Sequence, residues 1–379
     1  MSKVARIPIT NVYMDGDYTG RLLIGPHQKP MNVILDTGSS ALALDGHKYQ
    51  PDTAGGDKLT DLAQTASYGD GSSWTGAVIN TSVAVGTGAL QVSLPGANVA
   101  IAYDASANMF AGADGILGLA YAPLDNAYKM PGPTWPKKYT AAQVRAGASQ
   151  DIAPYLTQLA GADVVSDKVS FYTKRSFVHA GGGGIDDPLN QGWMVVGGGE
   201  ESNDLYTGAF QTVKVLADDW YNTNLKSIRV GTTTPIHIPA RGPKGMPSNS
   251  IVDSGTNSLN LGPTLLKAII GKFNSEQQAL LTSSVLDGHF VAVSDLGNLQ
   301  AWPALTFVMQ GDTGDVTLTV TADNYWQVDT QKVGAAAAAI TVGEPGLAIL
   351  GLPLMNGYFT IFDGEADGGR GAIKFATRK

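Results

Sequence analysis

Two stretches of this 379-residue chain end an apolar run on aspartate, then a hydroxyl residue, then glycine: Val33-Ile34-Leu35-Asp36-Thr37-Gly38-Ser39 and Ser250-Ile251-Val252-Asp253-Ser254-Gly255-Thr256. One such turn is an ordinary strand end, because Asp and Gly are favoured turn residues. Two in one chain suggest two halves that each bring a carboxylate to a shared site. Carboxylates at short range cannot both ionise cheaply, so such a pair shares a proton and titrates as a unit. Its charged member can take a proton from water while the neutral member hydrogen-bonds a carbonyl, which is general acid–base hydrolysis.

The surrounding sequence is suited to holding such turns in place. Short β-branched runs separated by Gly, Asn, Asp and Ser dominate, as in Arg21–Ile24, Ser82–Val85 and Val316–Thr321, and imply an all-β fold. Two segments have helical periodicity, Ile152–Ala160 and Pro263–Phe273, and are expected to be short surface helices. Each acidic turn is followed by an apolar-apolar-Gly element, Ile116-Leu117-Gly118 at 80 residues after Asp36 and Ile349-Leu350-Gly351 at 96 after Asp253. The same order and a similar gap in both halves indicate duplicated domains. The glycine-rich stretch Ala180–Gln191 reads as a flexible junction, dividing an N-terminal lobe, 1–180, from a C-terminal lobe, 181–379.

Composition narrows the function. With 43% hydrophobic and 15% charged residues the chain is globular, and 47 glycines with 19 prolines favour turns over long helices. A net charge of −8 and a pI near 5.1 argue against nucleic-acid binding. The absence of cysteine excludes disulfides, thiolate metal sites and cysteine nucleophiles. The five histidines are scattered without a His-Glu-x-x-His pair, so neither a metal nor a cofactor is expected. The apolar run Val333–Leu354 is broken by Glu344-Pro345-Gly346, so no membrane span is expected, and the N-terminal sequence reads as that of a cytoplasmic protein.

Five ordered motifs together resemble the pepsin-like aspartic endopeptidases: Tyr18–Gly25 their first hairpin, Asp36–Ser39 and Asp253–Thr256 their two catalytic turns, Ser67-Tyr68-Gly69-Asp70-Gly71-Ser72 their flap, and Ala113–Tyr121 with Ile349–Gly351 their packing elements. The lack of cysteine is similar to the bacterial, shewasin-like members. The resemblance implies a bilobal fold of two β-barrel lobes around a cleft, with Asp36 and Asp253 catalytic. It also implies that Thr37 and Ser254 cross-link the turns and that Ser39 and Thr256 donate to the outer carboxyl oxygens, with Gly38 and Gly255 admitting close backbone approach. Tyr68, Gly69 and Asp70 become flap residues. Ile34 and Ile116 become candidates for an apolar pocket favouring bulky hydrophobic residues at the cut, although the Ile-Leu-Gly elements as a whole read as packing. A polypeptide substrate, pepstatin-type inhibition, an acidic optimum and a monomer follow from the same likeness.

Departures from the family pattern leave an alternative open. Many relatives carry a Trp a few residues after the first turn that bonds the flap tyrosine, but Ser39–Leu44 has none, so Tyr68 needs another partner or a looser flap. Leu352 stands where relatives often have Asp. A catalytically weak or inactive peptide-binding protein on the same fold is therefore the competing reading. Trp74 could close a pocket or merely pack the hairpin, with packing preferred, and Trp193 and Trp220 read as C-lobe core.

Overall fold

Alternation along the chain sets the architecture. In Asp315–Val320 the residues Val316, Leu318 and Val320 turn inward and their neighbours outward, so one face is dry and the other wet. In Lys29–Asp36 the run Val33–Asp36 is buried throughout, as expected for a strand covered on both faces. The computed structural model describes residues 3–14 and 16–379, so Met1-Ser2 of the N-terminal reading lies outside the described residues. Strands dominate and the helices are short, as the sequence implied.

In the N-terminal half six strands close on themselves: Asp17–Ile24, Lys29–Asp36, Gly115–Gly118, Leu42–Asp45, Val92–Ala105 and Ser73–Val85, the last returning to the first through Leu22 opposite Val85. A continuous six-strand seam then runs Ala5–Met14, Gln191–Val196, Lys168–Tyr172, Tyr358–Asp363, Ala372–Arg378, Tyr206–Lys214. It interleaves the two ends of the chain with its middle. The remaining C-terminal strands form sheets of five, four and three members, wrapped on a core that includes Phe273, Trp302, Tyr325 and Trp326.

The duplication is visible in the pairing. Lys29–Asp36 runs parallel to Gly115–Gly118, Leu35 opposite Leu117, and Ser250–Val252 runs parallel to Ala348–Leu350, Val252 opposite Leu350. The glycine of each apolar-apolar-Gly element is required by crowding: a Cβ on Gly118 would meet the Ser40 backbone at 2.4 Å, and one on Gly351 the Thr256 carbonyl at 2.0 Å.

Several local expectations are corrected. The first helix spans Tyr155–Gly161 rather than Ile152–Ala160, because Pro154 holds Ala153 out of the helical region and starts the helix after itself. The second is Pro263–Ile270, ending at Gly271. The helices Ala141–Arg145 and Ser275–Leu281 went unanticipated, although Thr140 with Gln143 forms a capping box and Asn274 caps Gln277. The glycine-rich junction is braced rather than loose: Asn190 accepts from His179 N at 2.7 Å and donates to the His179 and Gly184 carbonyls, while the Asp187 carboxylate meets His179 Nδ1. Trp193 is not C-lobe core. It is half-buried on the seam opposite Pro8 and Tyr172, beneath the Arg6 guanidinium at 4.4 Å.

The seam also carries a charge network. Asp363, with its side chain 5% exposed, accepts from Lys374 at 2.7 Å and Lys168 at 3.0 Å, and Glu200 joins through Lys374 at 2.7 Å. Burial alone would raise the Asp363 carboxyl, but the bonds and charges of Lys374 and Lys168 outweigh it and hold the group below the usual carboxylate range. A depressed folded-state pKa stabilises fully above the unfolded value and is lost as pH falls through the folded one. Asp363→Asn is expected to reduce unfolding free energy by about 2 kcal/mol near neutrality, with the deficit shrinking towards about pH 3. Urea titrations at both pH values measure this.

Candidate active site

Each candidate aspartate is the terminus of a buried strand followed by a turn that cannot extend the sheet. Asp36 ends Lys29–Asp36, and its carbonyl accepts from Leu119 N at 2.8 Å; Asp253 follows Ser250–Val252, and its amide donates to the Leu350 carbonyl at 3.1 Å. Between the turns lies a reciprocal exchange. Thr37 N donates to Ser254 Oγ at 3.0 Å and Ser254 N donates to Thr37 Oγ1 at 2.9 Å; the hydroxyls then reach across, Thr37 to the Val252 carbonyl at 3.3 Å and Ser254 to the Leu35 carbonyl at 2.8 Å. Both residues are buried, so the bonds form in a low dielectric without competition from water.

The carboxyl groups above this link have matching environments. Gly38 N donates to Asp36 Oδ1 at 2.7 Å and Ser39 Oγ to Asp36 Oδ2 at 2.5 Å; Gly255 N donates to Asp253 Oδ1 at 2.9 Å and Thr256 Oγ1 to Asp253 Oδ2 at 2.6 Å. Each glycine faces the opposite acid. A Cβ on Gly38 would meet Asp253 Oδ1 at 2.7 Å, and one on Gly255 would meet Asp36 Oδ1 at 2.3 Å. Asp36 and Asp253 are 6% and 7% exposed. Burial, then the charge of Asp253, pushes the Asp36 carboxyl well above its ordinary range, and the Ser39 and Gly38 bonds offset this only in part. Asp36 therefore holds its proton to a pH at which an isolated carboxylate has lost it.

The flap motif forms the tip between strands Lys58–Ser67 and Ser73–Val85. Tyr68 N donates to the Ser72 carbonyl at 2.9 Å and Gly71 turns back with a φ of 86°. Asp70 is taken up within the tip, accepting from Ser72 N at 2.8 Å and Ser72 Oγ at 2.7 Å, while Gly69 is exposed. Tyr68 has its partner after all. Trp74 Nε1 donates to Tyr68 Oη at 3.1 Å. Trp74, 2% exposed, packs in one apolar cluster with Ile34, Ala43, Met109, Phe110 and Ile116. Ile34 and Ile116 are buried in that cluster, beneath Tyr68, and are not among the walls of the adjacent cavity.

That cavity, about 250 Å³, lies between the first turn and the hairpin and is walled by Gly38, Ser39, Gln64, Tyr68, Trp74 and Trp220 among others. Trp220 departs from its expected place in the core: half-buried, it donates Nε1 to the Gly38 carbonyl at 2.9 Å and so ties the C-terminal half to the first turn. Neither tryptophan role was legible, because each bond joins residues whose nearness depends on the fold. A larger cavity of about 590 Å³, bounded by Pro8, Arg21, Lys174 and Trp193, contains no residue of either turn. Among the described residues no group of three or more His, Cys, Asp or Glu could hold a metal ion, and no helix is long and apolar enough to cross a membrane.

Comparison with known proteins agrees with this geometry. Residues 17–134 and 185–376 match the family described as eukaryotic aspartyl protease. Cathepsin D of Chionodraco hamatus is 25% identical over 376 residues, covering 94% of this chain and 80% of the relative. Pepsin A of Sus scrofa is 27% identical, covering 94% and 80%, and cathepsin E of Oryctolagus cuniculus 26%, covering 96% and 81%. The match takes in both acidic turns, the flap hairpin and the seam strands after residue 185, and on that evidence the chain belongs to the aspartyl protease family.

Proposed function

We propose that this chain is an aspartic endopeptidase hydrolysing peptide bonds in extended polypeptides with water activated between Asp36 and Asp253. One observation carries the reading: two buried carboxyls with the same donor set stand above turns locked to each other by a reciprocal exchange. With one shared proton, the carboxylate takes a proton from water as it attacks, the carboxylic acid donates to the carbonyl oxygen, and the proton then passes to the leaving amine. No covalent enzyme intermediate forms. The raised Asp36 pKa supports an acidic optimum, since the shared proton is lost as the solution becomes alkaline. The substrate lies as a strand under the hairpin, with alternate side chains entering pockets. Membership of the aspartyl protease family supports a preference for bulky hydrophobic residues near the cut, while Ile34, Ile116 and Phe110 act from beneath the hairpin as packing rather than as pocket walls. The protein acts as a monomer that pepstatin-type inhibitors block, and the absence of any cysteine supports a bacterial, shewasin-like member working in the cytoplasm.

Cleavage of a denatured protein is expected to be several-fold faster at about pH 4 than at about pH 7, and to stop with pepstatin. Asp36→Asn is expected to lose on the order of a thousandfold in kcat. Equal rates at the two pH values remove the shared-proton account; tight peptide binding without turnover in the unmutated protein selects the inactive binding module instead.

Gly255→Ala places a methyl group against Asp36 and is expected to lower kcat/KM by about a hundredfold, because a displacement of roughly 1 Å at reacting groups costs that much. Circular dichroism checks that the variant is folded. Trp74→Phe removes one hydrogen bond to the flap tyrosine, about 1 kcal/mol, and kcat/KM is expected to fall about fivefold in steady-state assays.

A further inference from the structure

Gln64 and Asp125 take no part in the chemistry above and belong to none of the motifs. Gln64 sits on Lys58–Ser67, one arm of the flap hairpin, is 4% exposed, and forms part of the cavity wall near Gly38 and Ser39. Its amide hydrogens are committed on one side: Nε2 donates to Asp125 Oδ1 at 2.6 Å and to the Asn126 carbonyl at 3.4 Å. The amide oxygen accepts none of the hydrogen bonds formed among the described side chains, and on a residue of the cavity wall it is the acceptor left for a side chain that enters. Asp125, 3% exposed, is itself fixed behind the wall, its N–H donating to the Ala122 carbonyl at 2.8 Å and its carbonyl accepting from Ile152 N at 3.0 Å.

Such a pair is not the cheapest filling for this wall. Two apolar side chains of the same shape would be nearly neutral or stabilising, whereas a buried carboxyl and amide hold their place only while bonded. Burial pushes the Asp125 carboxyl up to about 7; the Gln64 bond lowers it in part and the charge of Asp151 raises it further. Asp151, on the strand paired with Asn126–Lys129, and the Tyr68 phenol are the titratable groups that act on it or feel it. In acid the Gln64–Asp125 pair is therefore uncharged, and it favours a neutral partner over an ammonium group.

We infer that Gln64, oriented from behind by Asp125, is a specificity-determining residue of the cleft: its amide oxygen selects substrates whose side chain in this cavity is a neutral hydrogen-bond donor, foremost the carboxamides Gln and Asn. This rests on the endopeptidase reading of the dyad. A wall built to bond a polar group discriminates strongly against an isostere that leaves it unpaired. Asp125 acts only through Gln64 and is a positioning residue.

The test is a peptide panel, identical except at one residue flanking the cut at a time, carrying Gln, its near-isostere Met, Leu, Lys or Glu. The enzyme, Gln64→Met, Asp125→Leu and Asp125→Asn are assayed at about pH 5. At one position the enzyme is expected to favour Gln over Met about tenfold in kcat/KM. Gln64→Met and Asp125→Leu abolish that preference there alone, still cutting the Met peptide, while Asp125→Asn, which keeps a bond to Gln64, retains it. Equal cleavage of Gln and Met peptides at every position, or an unchanged ranking in Gln64→Met, overturns the inference while leaving the endopeptidase reading intact. Affinities of the same panel for Asp36→Asn, by calorimetry, separate the reverse case: Gln-selective binding with no cleavage by the unmutated protein removes the endopeptidase reading and keeps the selectivity. If Gln64→Met does not fold, Asp125→Leu against Asp125→Asn decides.

Discussion

The site depends on the exchange between Thr37 and Ser254. A backbone N–H of each turn enters the hydroxyl of the other, and each hydroxyl continues to a strand carbonyl of the opposite half. Four hydrogen bonds in a dry interior fix the distance and orientation of two segments separated by 217 residues. Everything above inherits that precision: the matched donors on both carboxyls, the glycines pressed against the opposing acids, and the mutual influence that raises Asp36. Two acidic groups are held close and out of water at an energetic cost that the surrounding sheets must support, and the raised Asp36 pKa is its expression.

The support comes from buried strands rather than from the turns. Val33 to Leu35 and Ile251 to Val252 have neighbours on both sides, and the parallel strands ending at Gly118 and Leu350 receive hydrogen bonds from or give them to the acidic turns. The flap follows a similar rule. Trp74 is rooted in the apolar cluster and reaches Tyr68, so the phenol is positioned relative to the core beneath it rather than by the tip alone.

Much of this was legible in the sequence, for identifiable reasons. The paired Asp-hydroxyl-Gly turns and the Ile-Leu-Gly elements are local patterns whose physical demands (a turn, a close approach, a buried strand) are met by a few residue types, and each appears where its motif placed it. The strands were legible because alternation and β-branching are local too. Trp220 was misplaced because apolarity predicts burial but not the Gly38 carbonyl 182 positions away. The Tyr68 partner was sought along the chain after the first turn, whereas it comes from Trp74 on the second arm of the hairpin, in the same apolar cluster as Ala43. Gln64 and Asp125 gave no signal, since a polar pair is informative only when both members are known to be buried together.

The seam between the halves has a consequence for how the chain behaves when cut. Ala5–Met14 lies against Gln191–Val196, which lies against Lys168–Tyr172, which in turn lies against Tyr358–Asp363. Strands from before and after the braced junction at 180–191 thus alternate like interlaced fingers. A nick between Gly181 and Gly184 severs one covalent link outside the seam strands, whose ladders continue to join the two fragments.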